Sequence, residues 1–188
     1  MVAEYQTPHR DYHNLRHINH CLWELDRLSL QRTDRDLIEL AIWYHDIVYQ
    51  PGRGDNEADS VARLKADLGA GLPPAIIDRL SAMILATKHA RGSASDDDIL
   101  RTFLDIDMAV VGLSPLGFTA YETAISAEFA TAPRLMFRFL RKRFLKGLLA
   151  GDVFLTSSFR ERYEVVAKKN IRDLLGTSPY RWIPTLSV

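Results

Sequence analysis

Cysteine is almost absent. Cys21 stands alone among 188 residues, so no internal disulfide can form. The N-terminus lacks the charged, apolar and small-residue sections of a secretory signal, and the expected compartment is the reducing cytoplasm. No run reaches the roughly 18 consecutive apolar residues of a membrane span. The 47% hydrophobic content is therefore assigned to a soluble core, and no membrane partner is expected. Charge of one sign is not in excess either, since 24 Lys and Arg balance 24 Asp and Glu. That balance provides no global field for nucleic acid, so any anionic ligand must be held by a local site. A glycine-rich phosphate loop after a strand, a Gly-x-Ser-x-Gly and a Cys-x-x-Cys are all missing, which argues against P-loop, esterase and zinc-ribbon chemistry.

Strand-like alternation is missing too, and apolar residues recur every three to four positions instead. Leu15, Ile18, Leu22, Leu25 and Leu28 predict a first helix over 14–28. Thr33 with Asp36 resembles a capping box and opens a second, running through Leu37, Leu40, Ala41, Tyr44, Ile47 and Val48 to about residue 49. A third helix is expected over 56–68, closed by Gly69, and a fourth from Pro73-Pro74 to Thr87, followed by a loop over 89–95. The acidic triplet Asp96, Asp97 and Asp98 suits the start of a fifth helix, where the macrodipole favours negative charge, and is read as capping rather than metal binding. Ser114-Pro115, Pro133 and the pair Ser158 and Glu161 mark the starts of three more, the last ending at Gly176. The expectation is a single all-α domain over 1–188, without repeats or linker.

Within the second helix, Ala41-Ile42-Trp43-Tyr44-His45-Asp46-Ile47-Val48-Tyr49 sets an imidazole and a carboxylate in an apolar run. Buried ionisable groups need partners, and a divalent cation is one such partner. A structural His–Asp hydrogen bond is the other. His17, His45, Asp46 and Asp107 could converge from three helices on one ion, and neutral imidazole with carboxylate suits Mn, Fe, Co, Ni, Zn or Mg. Four protein ligands would leave positions open for water and substrate.

The order His, His-Asp, Asp on helices of an all-α domain resembles the HD superfamily of metal-dependent phosphohydrolases. Tyr12-His13-Asn14-Leu15-Arg16-His17 is similar to the Y-H-N-x-x-H segment of cyclic nucleotide phosphodiesterases, which share that core. Segments 12–18, 41–49, 55–57, 86–89 and 103–112 resemble a family of small predicted HD phosphohydrolases, and the likeness covers roughly 5–175. The resemblance implies an HD-type helical bundle with His17, His45, Asp46 and Asp107 as ligands to one or two divalent ions. Asp107 is preferred over Asp105 because Ile106-Asp107-Met108-Ala109 matches the last-ligand segment. His13 would be the acid that protonates the leaving oxygen, the alternative being a residue that merely borders the cap at Asn14. Glu57 would orient water or, with His89, support a second ion; alternatively Asn56 is an N-cap and Glu57 a favourable first-turn charge. Arg16, Lys88 and His89 are candidate contacts to substrate phosphate. The implied substrate is a phosphorylated small molecule, nucleotides included. A non-catalytic HD domain with a structural ion or a nucleotide-sensing role is the alternative.

Arg138, Arg141, Lys142, Arg143 and Lys146 form a basic run interleaved with Phe137, Phe139, Leu140, Phe144 and Leu145. It reads as a core stripe with a charged outer face, and no nucleic-acid partner is expected. Cys21 has no nucleophile context and reads as an inert, partly buried residue. Nothing in the sequence specifies an oligomeric state.

Overall fold

The three-to-four-residue periodicity becomes helix along the chain, in a computed structural model that describes residues 1–88 and 96–176. The protein is all-α, with no strand among the described residues. Packing groups the chain into two compact units, Met1–Asp107 and Met108–Val188.

In the first unit a 3-10 helix, Val2–Gln6, precedes α1 (Leu15–Asp26), α2 (Arg32–Tyr44), α3 (Asn56–Leu68), α4 (Pro74–Thr87) and α5 (Asp98–Met108). α2 is the pivot, packing against α1, α3 and α4. Its Ile38, Ala41 and Ile42 are buried, as are Ile18, Cys21 and Leu25 of α1, Leu64 of α3 and Leu80, Met83 and Ile84 of α4. Local chemistry sets several ends. Asn14 caps α1 by accepting from the Arg16 N–H at 2.8 Å while donating to the Arg10 and Asp11 carbonyls, each at 2.8 Å. The Asp97 carboxylate caps α5, accepting from the N–H groups of Ile99 (2.9 Å) and Leu100 (3.2 Å) and pairing with Arg79. This fulfils the capping role expected of the acidic triplet.

Burial alone would raise the Asp97 pKa, but those N–H groups and the Arg79 guanidinium outweigh it and hold the carboxyl below its usual range. A depressed folded-state pKa adds stability that is present above the unfolded value, near 3.9, and is lost as pH falls through the folded value. Asp97→Ala is expected to cost about 1 kcal/mol at neutral pH, as lost caps do. Urea unfolding at pH 7 and at pH 3 checks this, the difference narrowing at the lower pH.

The second helix corrects its expected bounds. It begins without a side-chain cap, so the Thr33/Asp36 capping box does not form, and it stops at Tyr44 rather than near residue 49. His45 keeps its bond to the Ala41 carbonyl, and beyond it side chains distant in sequence claim the backbone of Asp46, Ile47, Val48 and Gln50. Arg10 takes the Asp46 carbonyl (2.7 Å) and the Ile47 carbonyl (3.0 Å). Ser60 exchanges bonds with the Val48 N–H and C=O, and Asn56 does the same for Gln50. Asn56 is thus a buried clamp on the preceding loop, and Asp55 takes the N-cap position of α3.

In the second unit a 3-10 turn, Ala109–Gly112, leads to α6 (Pro115–Glu128), α7 (Arg134–Leu149), α8 (Ser157–Phe159), a π-turn Arg160–Glu164 and α9 (Val165–Gly176). Ser114 caps α6 as expected. The helix predicted from Ser158 and Glu161 instead starts at Ser157 with Thr156 at the N-cap. Asn170, buried on α9, donates to the Val111 (3.1 Å) and Leu113 (2.8 Å) carbonyls and pins the 3-10 turn. A Cβ at Gly112 would lie 2.5 Å from the Cβ of Tyr163, an approach only glycine permits. Gly112→Ala is expected to destabilise by about 1–3 kcal/mol, the range for overpacking a core. Denaturant unfolding measures it, and a change below about 0.5 kcal/mol would mean the two segments part freely.

Candidate metal centre

All four expected ligands lie in the first unit, and their donor atoms meet. His17 projects from α1, His45 is the C-cap of α2 with Asp46 in the turn beyond it, and Asp107 lies at the end of α5. His17 Nε2 is 3.1 Å from His45 Nε2 and 3.1 Å from Asp107 Oδ1. His45 Nε2 is 2.9 Å from Asp46 Oδ2 and 3.5 Å from Asp107 Oδ1, and His17 Nε2 to Asp46 Oδ2 is 3.8 Å. Bonds of about 2.1 Å from one ion would put neighbouring donors roughly 3.0–3.4 Å apart, so these separations suit a shared cation.

The protonation pattern argues the same way. His45 Nδ1 lies 2.9 Å from the Ile42 carbonyl, which can only accept, so Nδ1 carries a hydrogen and donates. When the ring is neutral, its Nε2 is bare and faces a second imidazole and a carboxylate oxygen. Acceptors facing one another inside a protein require a proton or a metal between them. Burial acts against charge on His45, but the Asp46 carboxylate and hydrogen bonds from Asp107 and Asp46 overcome it, and the ring holds a proton well above its ordinary range. Burial likewise acts to raise Asp46 and Asp107, yet His45 and the neighbouring imidazoles keep both carboxyls ionised far below theirs. The cluster is a ready receptor for positive charge.

Access is one-sided. The imidazoles of His17 and His45 are each 1% exposed, whereas Asp46 and Asp107 keep 15% and 20% of their side chains open. His13, 18% exposed, places Nε2 at 4.0 Å from Asp46 Oδ2. Its ring stacks on Tyr49 with centroids 3.9 Å apart, which fixes its aim, while Tyr12 lies against His17.

The other candidates divide. Glu57 and Lys88 are neighbours, with Oε2 and Nζ 4.0 Å apart, and Lys88 also donates to the Gly54 carbonyl. Among the described residues neither pairs with the four donors. Arg16 is exposed on α1 and forms no ion pair among the described residues. His89 lies outside the described residues. Asp105 is buried and belongs to neither group of metal-capable side chains.

Two contributors were missed. Arg10, in a stretch read only as polar, donates to the carbonyls of His13 (3.0 Å), Asp46 and Ile47 and lies over the rings of Tyr5 and Tyr49. It ties the segment carrying His13 to the turn carrying Asp46. No local pattern marks it, because its partners are backbone carbonyls up to 37 residues away. Cys21 is fully buried, with Sγ 3.8 Å from His17 Nδ1, and forms with His17 and Asp107 a second donor group overlapping the first. Its place four residues after His17, on the same helix face, was the available signal. Burial, with Asp107 and Asp46 adding to it, raises the thiol far above its ordinary value, so Cys21 stays protonated and is no nucleophile. Compared with known proteins, the chain matches no family model, no curated protein and no solved structure.

Proposed function

We propose that the protein is a metal-dependent phosphohydrolase of the HD type, acting on a phosphoester or phosphoanhydride of a small molecule, with nucleotides as the first substrates to try. The observation that carries this reading is the approach of the His17 and His45 imidazoles to each other and to the carboxylates of Asp46 and Asp107, at donor separations of 2.9–3.8 Å, with the carboxylate side open to solvent. An ion held there would polarise a phosphoryl oxygen and lower the pKa of water. The protein's own groups do the rest. The buried imidazoles of His17 and His45 would hold the ion and exclude water from its inner side. His13, held by its stack on Tyr49, is placed to hand a proton to the leaving oxygen at the open edge. Lys88 supplies positive charge for phosphate, and Glu57 beside it orients that ammonium group.

The test is metal-stripped protein refilled separately with Mn, Fe, Co, Ni, Zn or Mg and assayed on a panel of phosphomonoesters, cyclic and linear nucleotides and phosphoanhydrides. Turnover with at least one metal, absent after stripping, is expected. A folded, metal-loaded protein that turns over nothing would remove the enzyme reading and favour a structural or sensing ion.

A further inference from the structure

The basic run that reads as a core stripe in the sequence is something else. α7 carries six cations, Arg134, Arg138, Arg141, Lys142, Arg143 and Lys146, and no acidic residue. Arg141 is used within the unit, where it is paired with Glu122 at 2.6 Å and held between the rings of Tyr121 and Phe144. The other five make no ion pair among the described residues. α7 buries Leu145 and Leu148 and packs against α9. Leu135, Met136, Phe139, Leu140 and Phe144 instead remain exposed, Leu135 at 80% and Phe139 at 66%. Their spacing of one, three and four residues places them on one face. Lys142 and Lys146, four apart, run along its edge, Arg138 lies further round, and Arg143 falls among the apolar residues.

We propose that this face of α7 docks on the surface of an anionic lipid bilayer. The chain's total charge is zero, so five cations on one helix with no ion pair among the described residues are a local concentration and not a share of a general excess. The occupant must answer both the cations and the apolar side chains. A second copy of the same helix would bring more cations and no anion. Duplex nucleic acid would answer the charge but offers no apolar phase to Leu135, Met136 and Leu140. An anionic bilayer does both: its headgroups neutralise the cations, and its fluid acyl boundary accepts protruding side chains without a preformed groove. α7 is about 24 Å long at 1.5 Å per residue, enough to lie in the interface. No single helix among the described residues is long and apolar enough to cross a membrane. The expectation of no membrane partner rested on total charge and span length, and neither quantity registers a single amphipathic face.

The experiment uses the full chain, co-sedimented with vesicles of phosphatidylcholine alone or mixed with phosphatidylserine. Binding to the mixed vesicles only, weakening as salt is raised, is expected. The triple variant Arg138→Gln, Lys142→Gln, Arg143→Gln should lower partitioning about 100-fold, at roughly five-fold per cation. Phe139→Ser with Leu140→Ser should lower it at least about ten-fold. All five positions lie outside the buried packing of α7, so circular dichroism and melting should be unchanged in both variants. Absence of sedimentation with the mixed vesicles, equal binding by the triple variant, tighter binding to duplex DNA than to vesicles, or a dimer dissolved by Phe139→Ser would each overturn the proposal.

Discussion

Asp46→Asn is expected to lower the affinity of the cluster for Mn or Co by at least about 100-fold and, with it, to remove the proposed phosphohydrolase activity. The substitution keeps size and shape but deletes the charge nearest His45, at 2.9 Å. Loss of a group that only orients a ligand already costs roughly 10–100-fold in metal affinity, and Asp46 offers an oxygen directly. Asp107→Asn should behave alike, because its Oδ1 is the carboxylate oxygen nearest His17, at 3.1 Å. Asp105→Asn is the informative control. Asp105 belongs to neither donor group, so metal affinity should hold within a few-fold even if stability falls. Isothermal titration of the three stripped variants with Co decides the matter. Retained affinity in Asp46→Asn, or loss confined to Asp105→Asn, would displace the assigned ligand set.

Arg10→Met is the second large effect, and it acts without touching a donor atom. Met retains length and apolar bulk between Tyr5 and Tyr49 but removes hydrogen bonds to the carbonyls of His13, Asp46 and Ile47. Hydrogen bonds from a charged donor contribute about 1.5–3 kcal/mol each, and the loss is not additive, so a destabilisation of about 3 kcal/mol is expected. At this chain length that corresponds to a fall in Tm of roughly 6–12 °C. Freed of its tether, the turn carrying Asp46 should also bind metal roughly 10–100-fold more weakly, the cost of losing an orienting partner. Arg10→Lys separates the effects. An ammonium group restores charge but cannot span three carbonyls, so it should recover part of the stability and little of the metal affinity. Thermal melting with and without Co measures both. A melting temperature unchanged in Arg10→Met would show that the carbonyls find other partners.

Much of the helical layout was legible because its determinants are local. Periodicity in α1, α3 and α4, the Asn14, Asp97 and Ser114 caps and the prolines at the starts of α4 and α6 all act within a turn of the residue concerned. The misreadings came where periodicity continued but the surroundings changed. Ile47 and Val48 prolong the apolar pattern of α2, yet Arg10, Ser60 and Asn56 reach in from elsewhere and claim the backbone that a helix would need. In α7 the pattern of apolar and basic residues was right and its placement wrong, since a periodic stripe is equally regular whether or not another element covers it. The candidate ligands were visible as residue types and as a resemblance, whereas Arg10 carries no signature that single-sequence patterns register and Cys21 showed only its spacing of four residues from His17.

By itself the sequence determined the helical class, most helix starts and the chemistry of the donors, because side-chain identity and bonding over three or four residues suffice for these. Only the tertiary structure decided that α2 ends at Tyr44, that two imidazoles and two carboxylates face one another, and that one apolar face of α7 stays open. The physical reason is range. Those outcomes depend on which distant side chain reaches a given carbonyl, ring or face first, and that competition is settled by packing across the chain.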